Sequence, residues 1–473
     1  MAAHEPWAES LFGDDLRMDN GEVTVVREGS LASERMDALV RDAVFSRGQR
    51  RDHARWLIWE IAQAVGVRPS SIHDLYLARG RGECGGFTVP AMNIRGMSYD
   101  TARSIFRTAN RTNTGAFVLE IARSEIAYTE QRPAEYVAVM LAAALREGFR
   151  GPVFIQGDHF QVNPKKFVAD PTGEVAAVKQ LANEAIHAGF YNIDVDTSTL
   201  VDLSVEDLNE QQRSNYEVAV DITRYIRERE PSGVTVSIGG EIGEVGAHNS
   251  TVEELRAFMS GFSRTLQDRG GHDIAGLSKI SVQSGTSHGG VVLPDGSIAD
   301  VKLDFQTLAD LSRVARDEYR LAGAVQHGAS TLPASAFGNF PETETCEIHL
   351  ATNFQNMLYD ALPGDLRQEI YAWLDGNAAE DRKPKDSDEQ FYYKTRKKAL
   401  GPFKQKLWDL PQETKAKLAS AYDDMFGFLF DTLRVAGTAP LVEKHIRVLP
   451  QHRRSPAEGV AVAAAPDDPD AGE

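Results

Sequence analysis

The sequence predicts an α/β fold, a TIM-type (β/α)8 barrel carrying helical extensions at both ends. Three observations predict it. Short β-branched runs alternate with longer amphipathic stretches through the middle of the chain, eight such runs can be counted, and the residues able to do chemistry gather where those runs end. The runs are 87–94, 116–122, 152–157, 191–196, 234–240, 280–285, 323–328 and 346–351. Between them lie helical patterns such as 133–149, opened by Pro133, and 174–190, closed near Gly189. An open, doubly wound sheet is the rival, but no spare strand and no glycine-rich dinucleotide loop follow the first run.

Residues 1–82 precede the first strand and include a charged stretch, 36–66, with aromatic and aliphatic residues at helical spacing, read as a docking cap or oligomer arm. The barrel is expected over 83–365 and a helical C-terminal extension over 366–450, interrupted by the polar insert 375–390. From 451 to 473 the chain is rich in Ala, Pro and Asp and is expected to be disordered.

Composition narrows the function. Of 473 residues, 42% are hydrophobic and 25% charged, the balance of a globular enzyme, and no run comes near the roughly 18 apolar residues of a membrane span. The N-terminus has neither a basic nor an apolar signal region, so the cytoplasm is the expected compartment. With only Cys84 and Cys346, a disulfide framework is excluded, and any metal must sit on imidazoles and carboxylates. A net charge of −18 disfavours nucleic acid and anionic membranes as partners, and an anionic substrate would need a locally positive pocket.

Asp158 and His159 follow the third strand, Asp196 ends the fourth, Glu241 the fifth, and His288 and His327 follow the sixth and seventh. Three imidazoles and three carboxylates then face one cavity at the C-terminal rim, where such barrels place reactive groups. Three nitrogen ligands with an open position are what a catalytic zinc ion requires. A lone histidine in a barrel loop more often packs or solvates; placement at successive strand ends is what carries the case. Gly289, Gly290 and Gly328 allow close backbone approach to a ligand, and Ala329, Ser330 and Thr331 follow where barrels commonly bind phosphate. A need for positive φ alone explains any one of these glycines equally well.

From VPAMN (89–93) through IHLAT (348–352) the chain resembles the class II, zinc-dependent fructose- and tagatose-bisphosphate aldolases. The resemblance is carried by the pair 158–159, the strand ending in Asp196, GGEIGEVG (239–246), SGTSHGG (284–290), VKLDF (301–305) and QHGAS (326–330). It implies a metal-dependent aldehyde-lyase of carbohydrate metabolism, such as glycolysis, acting on a phosphorylated sugar like fructose- or tagatose-1,6-bisphosphate through a metal-stabilised enediolate of dihydroxyacetone phosphate. It further implies Zn2+ or another divalent metal, a monovalent cation, and a homodimer or higher homo-oligomer. By resemblance His159, His288 and His327 are the metal ligands, Glu241 joins or supports the ion, and Asp196 is a further carboxylate. Asp158 is the acid/base, and Gly289, Gly328 and Ser330 hold the triose phosphate. Arg396 in YYKTR (392–396) is similar to a tail arginine that reaches across a dimer to the second phosphate, though KTRKK reads equally as a solvated basic face.

The chain departs from the family at several places. His349 and Ala351 stand where the eighth strand usually offers an Asn and an acidic or small residue to the substrate, Ala122 replaces a Ser, and Asn249 replaces the mobile-loop Glu that handles the C3 proton. That proton would fall to His248, Glu253, Glu254 or another group. The departures point to a different ketose phosphate or a sulfonated analogue. Alternatively, GDHFQVNP (157–164) resembles the non-catalytic accessory subunits of tagatose-bisphosphate aldolases, which have no physical reason to keep three imidazoles.

Overall fold

A barrel wall is covered on both faces, outside by helices and inside by its own core, so its strands appear as short runs of buried residues. The computed structural model describes residues 11–19, 22–243, 248–285, 293 and 303–456. In chain order the strands are β1 (Leu16–Asp19), β2 (Glu22–Val25), β3 (Val67–Ser70), β4 (Val89–Asn93), β5 (Val118–Ala122), β6 (Gly151–Gln161), β7 (Asn192–Asp196), β8 (Ser237–Glu241), β9 (Lys279–Val282), β10 (Ala324–Gln326) and β11 (Glu347–Leu350). β4 to β11 pair in sequence order, all parallel, and β11 returns to β4 with Glu347 opposite Val89, which closes an eight-stranded barrel. Each of the eight expected runs overlaps one of these strands.

The N-terminal extension differs from the helical cap expected. β1 and β2 form an antiparallel pair, and β3 runs parallel to the first residues of β6, Val67 opposite Gly151 through Ser70 opposite Phe154. The extension therefore lengthens the sheet as well as covering it. β3 was illegible because VRPS is short, lacks alternation and contains Pro69, which is tolerated on an edge strand. The helix Pro171–Ala188 starts three residues before its expected beginning, because Asp170 caps it by accepting from the Gly173 amide at 3.0 Å, and it ends at Gly189 with φ +116.

The C-terminal extension packs its helix Gln412–Thr432 on Ser98–Thr112, with Arg107 paired to Asp423 at 2.8 Å and the Phe117 and Phe430 rings 5.7 Å apart. Disorder from 451 onward is corrected for the first residues of the tail. Trp59 Nε1 donates to the Gln451 carbonyl at 2.6 Å and Trp56 Nε1 to that of Arg453 at 3.0 Å. Glu60, 1% exposed, accepts from the Arg453 amide and meets His452 Nδ1, both at 2.7 Å. The Arg453 guanidinium lies 3.2 Å from the Trp59 ring centroid. Composition suggested a loose tail, but buried indoles and a buried carboxylate need partners, and the tail supplies them. Residues 457–473 lie outside the described residues. Among the described residues no helix is long and apolar enough to cross a membrane.

Two predictions follow from the packing of the extensions. Ending the chain at Pro450 strips partners from both indoles and Glu60 and should cost about 2–4 kcal/mol, read as a lower urea midpoint; an unchanged midpoint would show the strap to be idle. His73, 5% exposed at the start of the helix His73–Gly80, is pulled from 6.5 down to about 4 by burial and then by Arg227. Its folded value lies below its unfolded one, so the unfolded chain binds the proton better, and stability is lost as pH falls from 6.5 towards 4. The loss is on the order of 3 kcal/mol. His73→Gln should flatten that acid limb of the stability curve, and an identical slope in both proteins would remove His73 from it.

Candidate active site

Inward positions on a barrel strand recur every second residue, so each strand offers one side chain to the middle of the barrel and the next to its rim. Here the successive pairs are Gln156 and Asp158, Asp194 and Asp196, Gly239 and Glu241, Lys279 and Ser281, Glu347 and His349. The inner members form a polar floor. Lys279 Nζ donates to Gln156 Oε1 at 2.8 Å, to Asp194 at 2.9 Å and to Glu347. Gln156 Nε2 donates to Glu120 at 2.7 Å and Glu347 at 3.0 Å, and the Tyr76 hydroxyl donates to Glu347. Burial works against every charge in this layer, yet Asp194 and Glu347 hold Lys279 above the usual lysine range, and Lys279 and His349 hold Glu347 well below the carboxylate range. Gly239 makes the space: a Cβ there would lie 2.3 Å from Asp194 Oδ1 and 2.9 Å from Lys279 Cε.

At the rim, alternation alone would send the neighbours Asp158 and His159 to opposite faces. A bulge in β6 prevents this. Gly157 sits opposite Ile193 and Phe160 opposite Val195, so Asp158 and His159 together face the single residue Asp194. His159 takes φ +40, a left-handed conformation that costs a non-glycine residue roughly 1 kcal/mol. The expected end of this strand at 157 is corrected accordingly: β6 continues through both residues to Gln161.

Both side chains are then buried inside. His159 Nδ1 lies 2.9 Å from Asp196 Oδ2 and 3.6 Å from Glu241 Oε2, and its Nε2 is 3.9 Å from Asp158 Oδ1. The His159 and His327 ring centroids are 4.3 Å apart, and those of His327 and His349 4.1 Å. His327 Nε2 meets Ser281 Oγ at 3.0 Å. Asp158 accepts from Asn93 Nδ2 at 2.9 Å and from His349 Nδ1 at 3.1 Å. Burial would raise the Asp158 carboxyl, but His159 and His349 hold it well below the carboxylate range. Burial, then Asp196, pushes Glu241 the other way, well above it.

The structure thus brings together Asp158, His159, Asp196, Glu241, His327 and His349. His288 and Gly289 lie outside the described residues. Gly328, at φ +69, turns the chain into Ala329–Thr331, and Ser330 Oγ accepts from the amides of Ala351 (2.5 Å) and Thr352 (3.2 Å), tying that loop to the end of β11. Arg396 is placed differently from the arm expected. It is 8% exposed, with its guanidinium 4.8 Å from the Tyr359 ring and 4.5 Å from that of Tyr393, and it donates to Asn356. Its neighbour Lys397 turns instead towards Arg95 and Tyr128, where burial and Arg95 bring its ammonium down to about 8. In the loop after β8, Asn249 donates to Asp304 at 3.3 Å and His248 meets Glu254 at 2.8 Å.

Sequence reasoning missed Asn93, Arg95, Glu120, Gln156, Asp194, Lys279, Glu347 and Lys397. For most of them a signal existed: charged or amide residues two apart in otherwise apolar strands, as in NIDVD (192–196) and EIHL (347–350), mark inward positions.

Among the described residues, three groups could hold a metal ion, each with ligand atoms within 4.8 Å of one another. The group Glu120, Asp158, Asp194 and His349 is already balanced: Lys279 serves Asp194, and His349 sits between Asp158 and Glu347. The other two, Asp158–His159–His327 and His159–Asp196–Glu241, share His159 and combine imidazole with carboxylate. That donor set, buried and rich in carboxylate, fits a divalent ion such as zinc.

The family model for fructose-bisphosphate aldolase class-II matches residues 81–412. The chain belongs to that family. No curated protein matches the sequence. Among solved structures, the fructuronate-tagaturonate epimerase UxaE from Cohnella laeviribosi is 13% identical at TM-score 0.57, covering 90% of each chain. Fructose-bisphosphate aldolase from Campylobacter jejuni is 16% identical at TM-score 0.47, with 78% of this chain and 97% of that chain covered. The YdjI aldolase from Escherichia coli K12 is 11% identical at TM-score 0.45, with 78% and 99% covered. At such identities the likeness is one of fold.

The bulge makes a prediction for this site. A Cβ on Gly157 would lie 2.4 Å from the buried Phe160 ring, so Gly157→Ala should push Asp158 and His159 out of register. We expect a loss of about 1–3 kcal/mol of stability together with weaker Zn2+ binding by calorimetry; wild-type Zn2+ affinity would detach the bulge from the metal site.

Proposed function

We propose that this chain is a metal-dependent aldolase that cleaves and forms the carbon–carbon bond of a ketose phosphate of the fructose- or tagatose-1,6-bisphosphate type. The observation that carries the reading is the meeting of Asp158, His159 and His327 within 4.8 Å inside a barrel of this family. His159 and His327, with Glu241 or Asp196 in support and His288 as the sequence candidate outside the described residues, would hold a divalent ion. Such an ion, when bound, polarises the ketose carbonyl and stabilises the negative charge that cleavage leaves on the carbon.

The remaining work belongs to the side chains. Asp158, kept ionised by His159 and His349, takes the C4 hydroxyl proton in cleavage and returns it in condensation. Asp196, 2.9 Å from His159 Nδ1, fixes that ring and leaves Nε2 for the ion. Lys397, beside Arg95 and the Tyr128 ring, offers positive charge for an anionic end of the substrate, while the Arg95 guanidinium is itself ion-paired to Glu125 at 2.5 Å. The rim excludes water, since Asp158, His159 and His327 are each at most 4% exposed.

A second reading is favoured by one observation. Asn249 is tied to Asp304, and His248 to Glu254, which leaves Glu253, exposed in the first turn of the helix Val252–Asp268, as the acid of this described stretch for protonating C3 of the triose fragment. Cleavage followed by re-addition to the other face of the aldehyde needs no proton at C3 and would make the chain a C4 epimerase. Solvent deuterium separates the two: an aldolase puts deuterium on C3 of the released triose phosphate, whereas an epimerase returns an inverted ketose without deuterium.

The aldolase reading predicts that the purified protein carries about one divalent ion per chain, that a chelator abolishes cleavage of ketose bisphosphates, and that added Zn2+ restores it. Protein free of metal and indifferent to the chelator would favour the accessory-subunit alternative. Asp158→Asn should keep the metal and lose about 10²- to 10⁴-fold in kcat; unchanged turnover would exclude Asp158 as the base.

A further inference from the structure

The mechanism leaves Glu120 unused, although it is fully buried on β5, the strand beside β6. Its carboxylate meets three donors. Oε1 lies 3.2 Å from Asn93 Nδ2 and 3.2 Å from His349 Nδ1, and Oε2 accepts from Gln156 Nε2 at 2.7 Å. The first two donors are the same two that hold Asp158, at 2.9 Å and 3.1 Å. Asn93 and His349 are therefore each clamped between two carboxylates. With both amide hydrogens of Asn93 engaged, its side chain has one orientation, and Glu347, 2.8 Å from His349 Nε2, fixes the imidazole from its far side.

Such a carboxylate is costly to keep. Burial pushes the Glu120 carboxyl up, against the pull of His349 that favours the ionised form, and burying such a group is costly where an apolar side chain would not be. What the carboxylate adds is direction: two donors that would otherwise be free to turn are aimed at the oxygens of Asp158.

We infer that Glu120 is a positioning residue for the Asp158 base, holding Asn93 and His349 so that the remaining lone pairs of Asp158 face the substrate hydroxyl. The inference rests on the aldol reading of the site. It singles out Glu120→Gln as a sharp substitution with almost no change of shape. Gln156 cannot adapt, because its Oε1 accepts from Lys279 at 2.8 Å and its Nε2 must face position 120. The new amide group meets either Gln156 Nε2 or the Asn93 and His349 donors, so every orientation sets a donor against a donor.

The test compares the wild-type chain with Glu120→Gln and Glu120→Ala, each loaded with Zn2+, by thermal melting, Zn2+ stoichiometry, steady-state cleavage of ketose bisphosphates, and crystallography. The alanine variant removes the acceptor without adding a donor and serves if the glutamine variant does not fold. We expect a cooperative melt, full Zn2+ stoichiometry, KM near the wild-type value, kcat lower by about ten- to a hundredfold, and a displaced Asp158 carboxylate in the crystal. Wild-type kcat with Asp158 in place overturns the inference, as does a loss of Zn2+ that parallels the loss of activity. Should the wild-type chain cleave none of the ketoses, the aldol reading fails on its own account and the crystal structure of the variant decides alone: Asp158 and Asn93 displaced support the positioning role, and both in their original places overturn it.

Discussion

The buried ammonium of Lys279 is the interaction on which the rest of the barrel interior depends. Asp194 and Glu347 could not remain ionised in the middle of a closed barrel without it, and it could not remain charged without them. Removing one partner of such a set leaves an uncompensated charge, typically about 3–5 kcal/mol, so the layer stands or falls together. The dependence travels upward. Lys279 fixes Glu347, Glu347 holds His349 Nε2, and His349 Nδ1 holds Asp158. Gly239 belongs to the same arrangement, since only a residue without a side chain leaves space for the ion pair.

Floor and rim then divide the charge between them. In the floor, the Lys279 ammonium already answers the carboxylates of Asp194 and Glu347. At the rim, Asp196 and Glu241 crowd against His159, and burial drives Glu241 towards its neutral form. A divalent ion seated at the rim would answer these carboxylates, whereas one layer below Lys279 already does so.

Much of this was legible in the sequence. The eight strands could be read because short β-branched runs alternate with longer amphipathic stretches, and Asp158, His159, Asp196, Glu241 and His327 because they stand at strand ends. The bulge was not legible. Asp158 and His159 are adjacent in any reading, but only the register of β6 against β7 and the Phe160 ring over Gly157 decide that both face inward. The floor was overlooked for a related reason: barrel interiors are commonly apolar, so Glu120, Asp194 and Lys279 read as strand punctuation rather than as inward residues. At 396–397 the sequence offers two neighbouring cations in one short turn, and only tertiary packing settles that Arg396 lies between two tyrosines while Lys397 turns to Arg95.

The strap at Gln451–Arg453 has a bearing on how the molecule folds. The indoles of Trp56 and Trp59 find their acceptors 397 and 392 residues further along the chain. Contacts of such separation close very large loops, so the N-terminal layer is sealed only once the segments between have come together. Barrel formation and closure of that layer are thereby tied to each other.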